Sequence, residues 1–288
     1  MSTQTINPSE RLLAIESLAT NPIGVFDSGV GGISVLKHIH ALLPNEQLLY
    51  VADSKYAPYG NKTPTEIKSR CFEIADFLIA NHAKVLVVAC NTATAAAIDA
   101  MRERDRLPGS NFPDFNIPII GMEPALKPAA EASRNGIVGV LATTGTLKSA
   151  QFAGLLESYG RNVKVLTQAC VGLVECVERG ELNAANTRSL IQQYCAPLLA
   201  EGADTIVLGC THYPFLTDVI RSVIGKEITL IDTGAAVANQ VKRQLEVHGL
   251  ISLNKKVADV KFWTNSENPS AKQVIEQLWG AGAEVLVI

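Results

Sequence analysis

The chain has 288 residues, 47% of them hydrophobic and 18% charged, with a formal net charge of -3, enough for about two ordinary domains around a sizeable core. That balance excludes a disordered chain and provides no positive field for gathering nucleic acid or an anionic membrane, so the expected partner is a small molecule. The longest apolar runs fall short of the roughly 18 residues of a membrane span, and six scattered cysteines without a Cys-x-x-Cys pair or an export signal argue against a disulfide framework or a zinc site and fit a reducing cytoplasm.

Residues 1–22 read as an N-terminal extension ahead of the fold. From residue 23 onward, ten short apolar runs alternate with segments of helical period: GVFDSG, LLYVAD, VLVVAC, PIIGM, VGVLAT, VKVLTQ, TIVLGC, ITLID, VKFW and EVLVI. Near-continuous Val, Ile and Leu is what a strand needs when helices cover both faces, so the pattern predicts an α/β fold with mainly parallel sheets. Thr63-Pro64-Thr65-Glu66 predicts a helix start, with Thr63 as N-cap, Pro64 at the first helical position and Glu66 closing a capping box. Gly160, after ESY, predicts a helix stop.

The proline-rich stretch RLPGSNFPDFNIP, residues 106–118, predicts a crossing from a first lobe into a second. IDTGAA, residues 231–236, predicts the return. The first lobe is then residues 23–117 plus 232–288, and the second is residues 118–231. The halves resemble each other: GVFDSGVGG from Gly24 answers GVLATTGT from Gly139, and each is followed by a strand-ending cysteine, Cys90 or Cys210. The halves read as a diverged internal repeat.

In open parallel sheets ligands bind outside the carboxyl ends of the strands. The polar residues that end strands are therefore the candidates: Asp27 and Ser28, Asp53, Cys90 with Asn91 and Thr92, Glu123, Thr143, Cys210 with Thr211 and His212, and Asp232. Small hydroxyls and amides dominate, which suits an amino-acid-like ligand. A lone strand-end cysteine is more often a small buried hydrophobe than a nucleophile. Two in matched settings read as a pair, each expected to precede a helix whose N-terminus lowers the thiol pKa. Cys71, Cys170, Cys176 and Cys195 fall in helical-period segments and read as packing residues.

Other readings stay open at this level. SGVGG is not a phosphate-binding P-loop, because no Gly-Lys-Ser/Thr follows. It carries two of the three dinucleotide glycines, with Asp53 about where a ribose-binding acid would stand. Asp27 beside the pyrophosphate argues against that use. His212 is either a helix cap or a proton partner for Cys210, and the Tyr56–Gly60 loop is either a turn or a substrate wall.

The set FDSGVGG, DSKYAPYGNKT, VVACNTAT, GVLATTGT and VLGCTHYPFL, in that order over nearly all the chain after residue 22, resembles the glutamate racemases of the cofactor-independent aspartate/glutamate racemase family. The resemblance implies two similar α/β lobes, pseudo-twofold related, with the active site in the cleft between them, and a cytoplasmic isomerase that interconverts L- and D-glutamate for peptidoglycan biosynthesis and cell shape, without cofactor or metal. Carried over by motif, Cys90 deprotonates D-glutamate with help from Asp27, and Cys210 deprotonates L-glutamate with help from His212. Ser28, Tyr59, Gly60, Asn91, Thr92, Thr143, Thr146 and Thr211 bind substrate, together with Asp27 and His212. An assisting glutamate is offered by LVECVERG as Glu175 or Glu178, with Glu178 preferred. The extension resembles that of members activated by a muramyl-peptide precursor, and a monomer or homodimer is implied, with no nucleic-acid or membrane partner. The competing functions are an aspartate or broader amino-acid racemase, a nicotinamide-dependent dehydrogenase, and an amino-acid binding protein without chemistry.

Overall fold

The structure, a computed structural model, describes residues 18–104 and 117–288. Most of the N-terminal extension and nearly all of the expected crossing at 106–118 lie outside the described residues. All ten predicted runs are strands: β1 Ile23–Asp27, β2 Leu48–Ala52, β3 Val85–Val88, β4 Ile119–Ile120, β5 Ile137–Ala142, β6 Lys164–Ala169, β7 Thr205–Gly209, β8 Thr229–Ile231, β9 Val260–Thr264 and β10 Val285–Val287. The helices that bear on the site are α1 Ile33–Leu42, α2 Pro64–Ala80, α3 Asn91–Arg104, α4 Leu126–Ala132, α5 Thr144–Leu147, α6 Ala150–Tyr159, α7 Leu173–Glu178, α8 Ala185–Ala200, α9 Thr217–Ile224, α10 Gly234–His248 and α11 Pro269–Trp279.

Every strand pairing is parallel, in one sheet of order β10-β9-β2-β1-β3-β4 and another of order β6-β5-β7-β8. The segment β2-β1-β3-β4 of the first sheet has the same order as β6-β5-β7-β8, so the repeat suggested by the motifs is also a repeat of topology. β4 pairs with β3, so the six-stranded sheet runs to Ile120 before the chain enters the four-stranded one.

Both faces of the first sheet are covered, which explains its unbroken apolar strands. Ile23, Val25, Tyr50, Val85 and Val87 pack on the α1, α10 and α11 side, while Phe26, Leu49, Val51, Leu86 and Val88 pack against α2 and α3. Burying such a side chain is worth about 1.5–3 kcal/mol. In the second sheet Val138, Val140 and Val207 meet α4 and α6, and Leu141, Ile206 and Leu208 join the larger core. The α2 start follows its sequence signal: Thr63 accepts from the Glu66 N–H, Glu66 reaches back to the Thr63 N–H, and Pro64 opens the helix. Gly160 caps the end of α6.

A buried ion pair ties the entry of the chain to this frame. Lys84 Nζ lies 2.6 Å from Glu46 Oε2 and donates to the Ala19 carbonyl at 2.6 Å, while Glu46 Oε1 accepts from the Ser252 N–H at 2.7 Å. No helix among the described residues is long and apolar enough to cross a membrane.

Candidate active site

The order 2-1-3-4 places a topological switch between the first and third strands of each repeat, where ligands lodge at the carboxyl ends. In the first sheet the switch lies between β1, ending in Asp27 and Ser28, and β3, leading to Cys90 and Asn91. In the second it lies between β5, followed by Thr143, and β7, followed by Cys210, Thr211 and His212. Both switch points open on one cavity of about 270 Å³, its open mouth included, lined from the first sheet by Ser28, Tyr59, Gly60, Cys90, Asn91 and Thr92 and from the second by Thr143, Thr146, Cys210, Thr211 and His212. Its lining mixes thiols, hydroxyls, an amide and an imidazole, the polar groups that recognise an amino acid.

Cys90 stands at the N-terminus of α3, where the Ala93 N–H points at its sulfur at 3.4 Å and its thiol lies 3.7 Å from Ser28 Oγ. The sequence expectation of a lowered thiol pKa does not hold here. Burial pushes the Cys90 thiol well up and the adjacent Asp27 carboxylate adds to it, while the Ala93 N–H opposes both and loses. Asp27, fully buried, accepts from the Gly32 N–H at 2.9 Å and from Ser28 Oγ at 3.4 Å. Burial raises its pKa above the usual carboxylate range, partly offset by the charge of His212. Without ligand, Cys90 is held as a thiol, a proton donor.

Cys210 differs from expectation in another way: a short 3₁₀ turn, Tyr213–Leu216, follows it, not an α-helix. Its partner is a side chain. His212 Nδ1 lies 3.7 Å from Cys210 Sγ, and His212 Nε2 lies 2.7 Å from Glu178 Oε1. Burial alone lowers the His212 pKa, but the hydrogen bonds to Cys210 and Glu178 and the nearby Asp27 outweigh it and hold the imidazole well above its usual range. As an imidazolium, His212 donates through Nε2 to Glu178 and through Nδ1 to Cys210. Gly172, at φ +91, turns the chain from β6 into α7 and so aims Glu178 at His212. Glu175, one turn earlier, instead lines a neighbouring cavity that shares Gly60 and Thr143 with the first.

Three hydroxyls join the two sides. Thr92 Oγ1 lies 2.9 Å from Thr143 Oγ1 and 3.3 Å from Thr146 Oγ1, and the last two are 3.0 Å apart. Asn91 is buried with both side-chain amide atoms lacking a protein partner. A buried, unpaired amide beside a cavity costs about 1–3 kcal/mol and marks a place where a polar ligand completes the bonding.

The remaining strand-end candidates do other work. Asp53 is enclosed by Tyr59 Oη at 2.5 Å, Arg70 Nη2 at 2.7 Å and Arg70 Nε at 3.1 Å, with Asn265 also donating, so its carboxylate is not free for a ribose. The SGVGG turn does cradle anions, but they are the protein's own: Gly32 N–H serves Asp27 and Val30 N–H serves Glu178 at 2.7 Å. Exposed Asp232 accepts from the Gly234 N–H at the start of α10, and exposed Glu123 accepts from Gln151. Cys71, Cys176 and Cys195 lie in α2, α7 and α8 as expected, but Cys170 does not. It ends β6 in the same fashion as Cys90 ends β3, a signal readable in VKVLTQAC. The Tyr56–Gly60 loop does form a wall, through Pro58, Tyr59 and Gly60, whereas Val174 lines the cavity without any polar signal to find it by. Among the described residues no cluster of His, Cys, Asp or Glu is placed to hold a metal ion.

The sequence profile of the Asp/Glu/Hydantoin racemases matches residues 23–241, which include both cysteine motifs and every cavity residue named above. The chain belongs to this racemase family. A racemase of Ectopseudomonas mendocina, named glutamate racemase, is 54% identical over 266 residues, 92% of this chain and 97% of that one. Solved structures agree. Glutamate racemase isoform RacE1 of Bacillus anthracis superposes with a TM-score of 0.81 at 33% identity, covering 93% of this chain and 97% of its own. Escherichia coli glutamate racemase, in complex with L-glutamate and the activator UDP-MurNAc-Ala, does so with a TM-score of 0.79 at 32% identity and the same coverage.

Proposed function

We infer that this racemase interconverts L- and D-glutamate by two-base proton transfer between Cys210 and Cys90, supplying D-glutamate for peptidoglycan. The observation that carries the reading is the arrival of two cysteines, at equivalent strand ends of two repeated sheets, on one polar cavity. Inverting a tetrahedral carbon through a planar carbanion needs a proton acceptor on one face and a donor on the other. In the L-to-D direction Cys210, as a thiolate with the His212 imidazolium as counter-ion, takes the α-proton. The Cys90 thiol delivers its own proton to the opposite face. In the reverse direction Cys90 passes through its thiolate, and Asp27, buried beside it with its own pKa raised, is the neighbouring carboxyl that assists the proton's departure. Asn91 and the three threonine hydroxyls bind substrate polar groups, with Ser28, Tyr59, Gly60 and Thr211 completing the walls, and these fixed donors oppose charge on the carbanion.

The lobes in this reading meet at the cavity, the second running from about residue 121 to 231 and the first comprising the remainder from residue 23. Activation by a nucleotide-linked muramyl peptide, the activator bound in the Escherichia coli relative, extends to this chain and is checked by adding UDP-MurNAc-Ala to the assay. The central test is circular dichroism of purified protein on L-glutamate, with the wild type set against Cys90→Ala and Cys210→Ala. Comparable racemisation by either variant overturns the two-cysteine reading.

A further inference from the structure

The arm that serves Cys210 belongs to the second sheet, yet two of the three groups on its outer end belong to the first. Glu178, with a side chain only 16% exposed, accepts from the Val30 N–H at 2.7 Å and from Ser54 Oγ at 3.3 Å as well as pairing with His212. Val30 lies in the turn after β1, and Ser54 follows β2 directly. The fit around them is close. A Cβ on Gly29 would stand 1.9 Å from Glu178 Oε1, and Tyr50 Oη fixes the Gly29 carbonyl from the other side at 2.7 Å. Ser34 Oγ adds a bond across to the Thr211 carbonyl at 2.8 Å, next to Cys210.

A carboxylate with one oxygen shared by a backbone N–H and an imidazole has few orientations left, and a hydroxyl on its second oxygen removes the rotation about its last bond. Because the Val30 N–H is invariant to side-chain choice, Ser54 is the one adjustable member of the set. We propose that Ser54 is a positioning residue for the Cys210 half-reaction: from the first lobe it orients Glu178, and through Glu178 and His212 it sets the placement of the proton at Cys210. The groups facing Glu178 are His212, Ser54 and the Val30 N–H, with Asp27 the next charge along. Cys90 has its own partners, Ser28, the Ala93 N–H and Asp27, and makes no hydrogen bond to Ser54 or Glu178 among the bonds described.

This inference rests on the two-cysteine reading, and the experiment separates the two. Since enantiomers have an equilibrium constant of unity, kcat/KM is the same in both directions for any variant, and a rate alone cannot say which proton transfer is slowed. Primary deuterium isotope effects can. In Ser54→Ala the expected result is a kcat/KM reduced about three- to tenfold, the effect of one ordinary hydrogen bond, as suits its 3.3 Å length. The isotope effect on α-deuterated L-glutamate rises, because removal at Cys210 becomes limiting, and that on α-deuterated D-glutamate falls. Ser54→Thr, which keeps the hydroxyl, returns both toward the wild type. Equal slowing in both directions with unchanged isotope effects overturns the positioning role while leaving the cysteines in place. A Cys210→Ala enzyme that still racemises overturns the underlying reading.

Discussion

Replacing Gly31 with alanine tests whether the glycine turn exists to admit His212. A Cβ at that position would stand 2.2 Å from His212 Nδ1 and 2.5 Å from Cε1, against a normal contact of about 3.5 Å, so ring and turn must separate by more than about 1 Å. The ring has nowhere free to go, being 2% exposed and held between Glu178 at 2.7 Å and Cys210 at 3.7 Å. A misplacement of about 1 Å in a catalytic group costs on the order of a hundredfold in rate, and overpacking of this kind costs about 1–3 kcal/mol in stability. The assay is circular dichroism of glutamate racemisation beside thermal unfolding. The control is Gly154→Ala: this helical glycine has no neighbour within 4 Å of an added Cβ, so activity stays unchanged and stability rises by about 0.5–1 kcal/mol. A Gly31→Ala enzyme within threefold of wild-type kcat/KM and equally stable would refute the argument that this turn is shaped around the imidazole.

The other predictions concern the thiols, the imidazolium, the buried ion pair and substrate choice. Cys90→Ala and Cys210→Ala each lower kcat at least about a thousandfold, whereas Cys71→Ala and Cys195→Ala change stability by roughly 1 kcal/mol and leave kcat alone; product formed from L-glutamate in D2O carries solvent deuterium from the first turnover, and protium retained in product contradicts two separate bases. The His212 pKa is raised in the folded state, so its stabilising contribution is complete below the unfolded value of about 6.5 and is lost as pH rises through the folded one. The stability gap between wild type and His212→Asn should therefore narrow from pH 6 toward alkaline pH in urea titrations, and a gap that widens contradicts the assignment. Lys84→Ala strands Glu46 in a site where the two side chains are 1% and 3% exposed, costing about 3–5 kcal/mol by chemical denaturation, while Lys84→Met combined with Glu46→Leu costs much less. Glutamate is turned over far better than aspartate, since polar groups placed for the longer chain stay unpaired with the shorter, and equal kcat/KM for the two contradicts this.

The strands were legible because burial on both sheet faces demands a composition that few other elements share, and all ten runs carried it from GVFD to EVLVI. The α2 start was legible because a capping box is local chemistry within four residues. The environment of each thiol was not. Whether Cys90 is raised or lowered depends on how far Ala93 N–H compensates for burial beside Asp27, a balance between segments far apart in the chain. Likewise LVECVERG alone cannot choose between Glu175 and Glu178, because one helical turn separates a residue that faces a side cavity from one that reaches His212. Asp53 is the plainest case. Its strand-end position is shared with Asp27, but Arg70, from the middle of α2, turns it into a brace for Tyr59.

The two halves of the site are equivalent in topology and unlike in chemistry, and the difference has a physical basis. A racemase meets the same carbon from two faces, so the repeat supplies a thiol to each from the end of its third strand. The substrate is not symmetric about that carbon, however: its carboxylates and ammonium must sit against fixed donors, and Asn91 and the threonines occupy only part of the circumference. Each thiol therefore meets a different electrostatic surrounding and needs a different partner to reach its working protonation state. On the Cys90 side the proposed partner is Asp27, the last residue of β1 before the glycine turn that shapes the pocket. On the Cys210 side the equivalent position, the last residue of β5, is Ala142, and the neutral hydroxyl of Thr143 that follows is committed to the threonine cluster. In the proposed mechanism the proton partner comes from elsewhere: His212, two residues beyond the cysteine and hydrogen-bonded to Glu178. The glycines at 29 and 31 follow from that choice, because a side chain at either would occupy the space through which this arm reaches the first lobe.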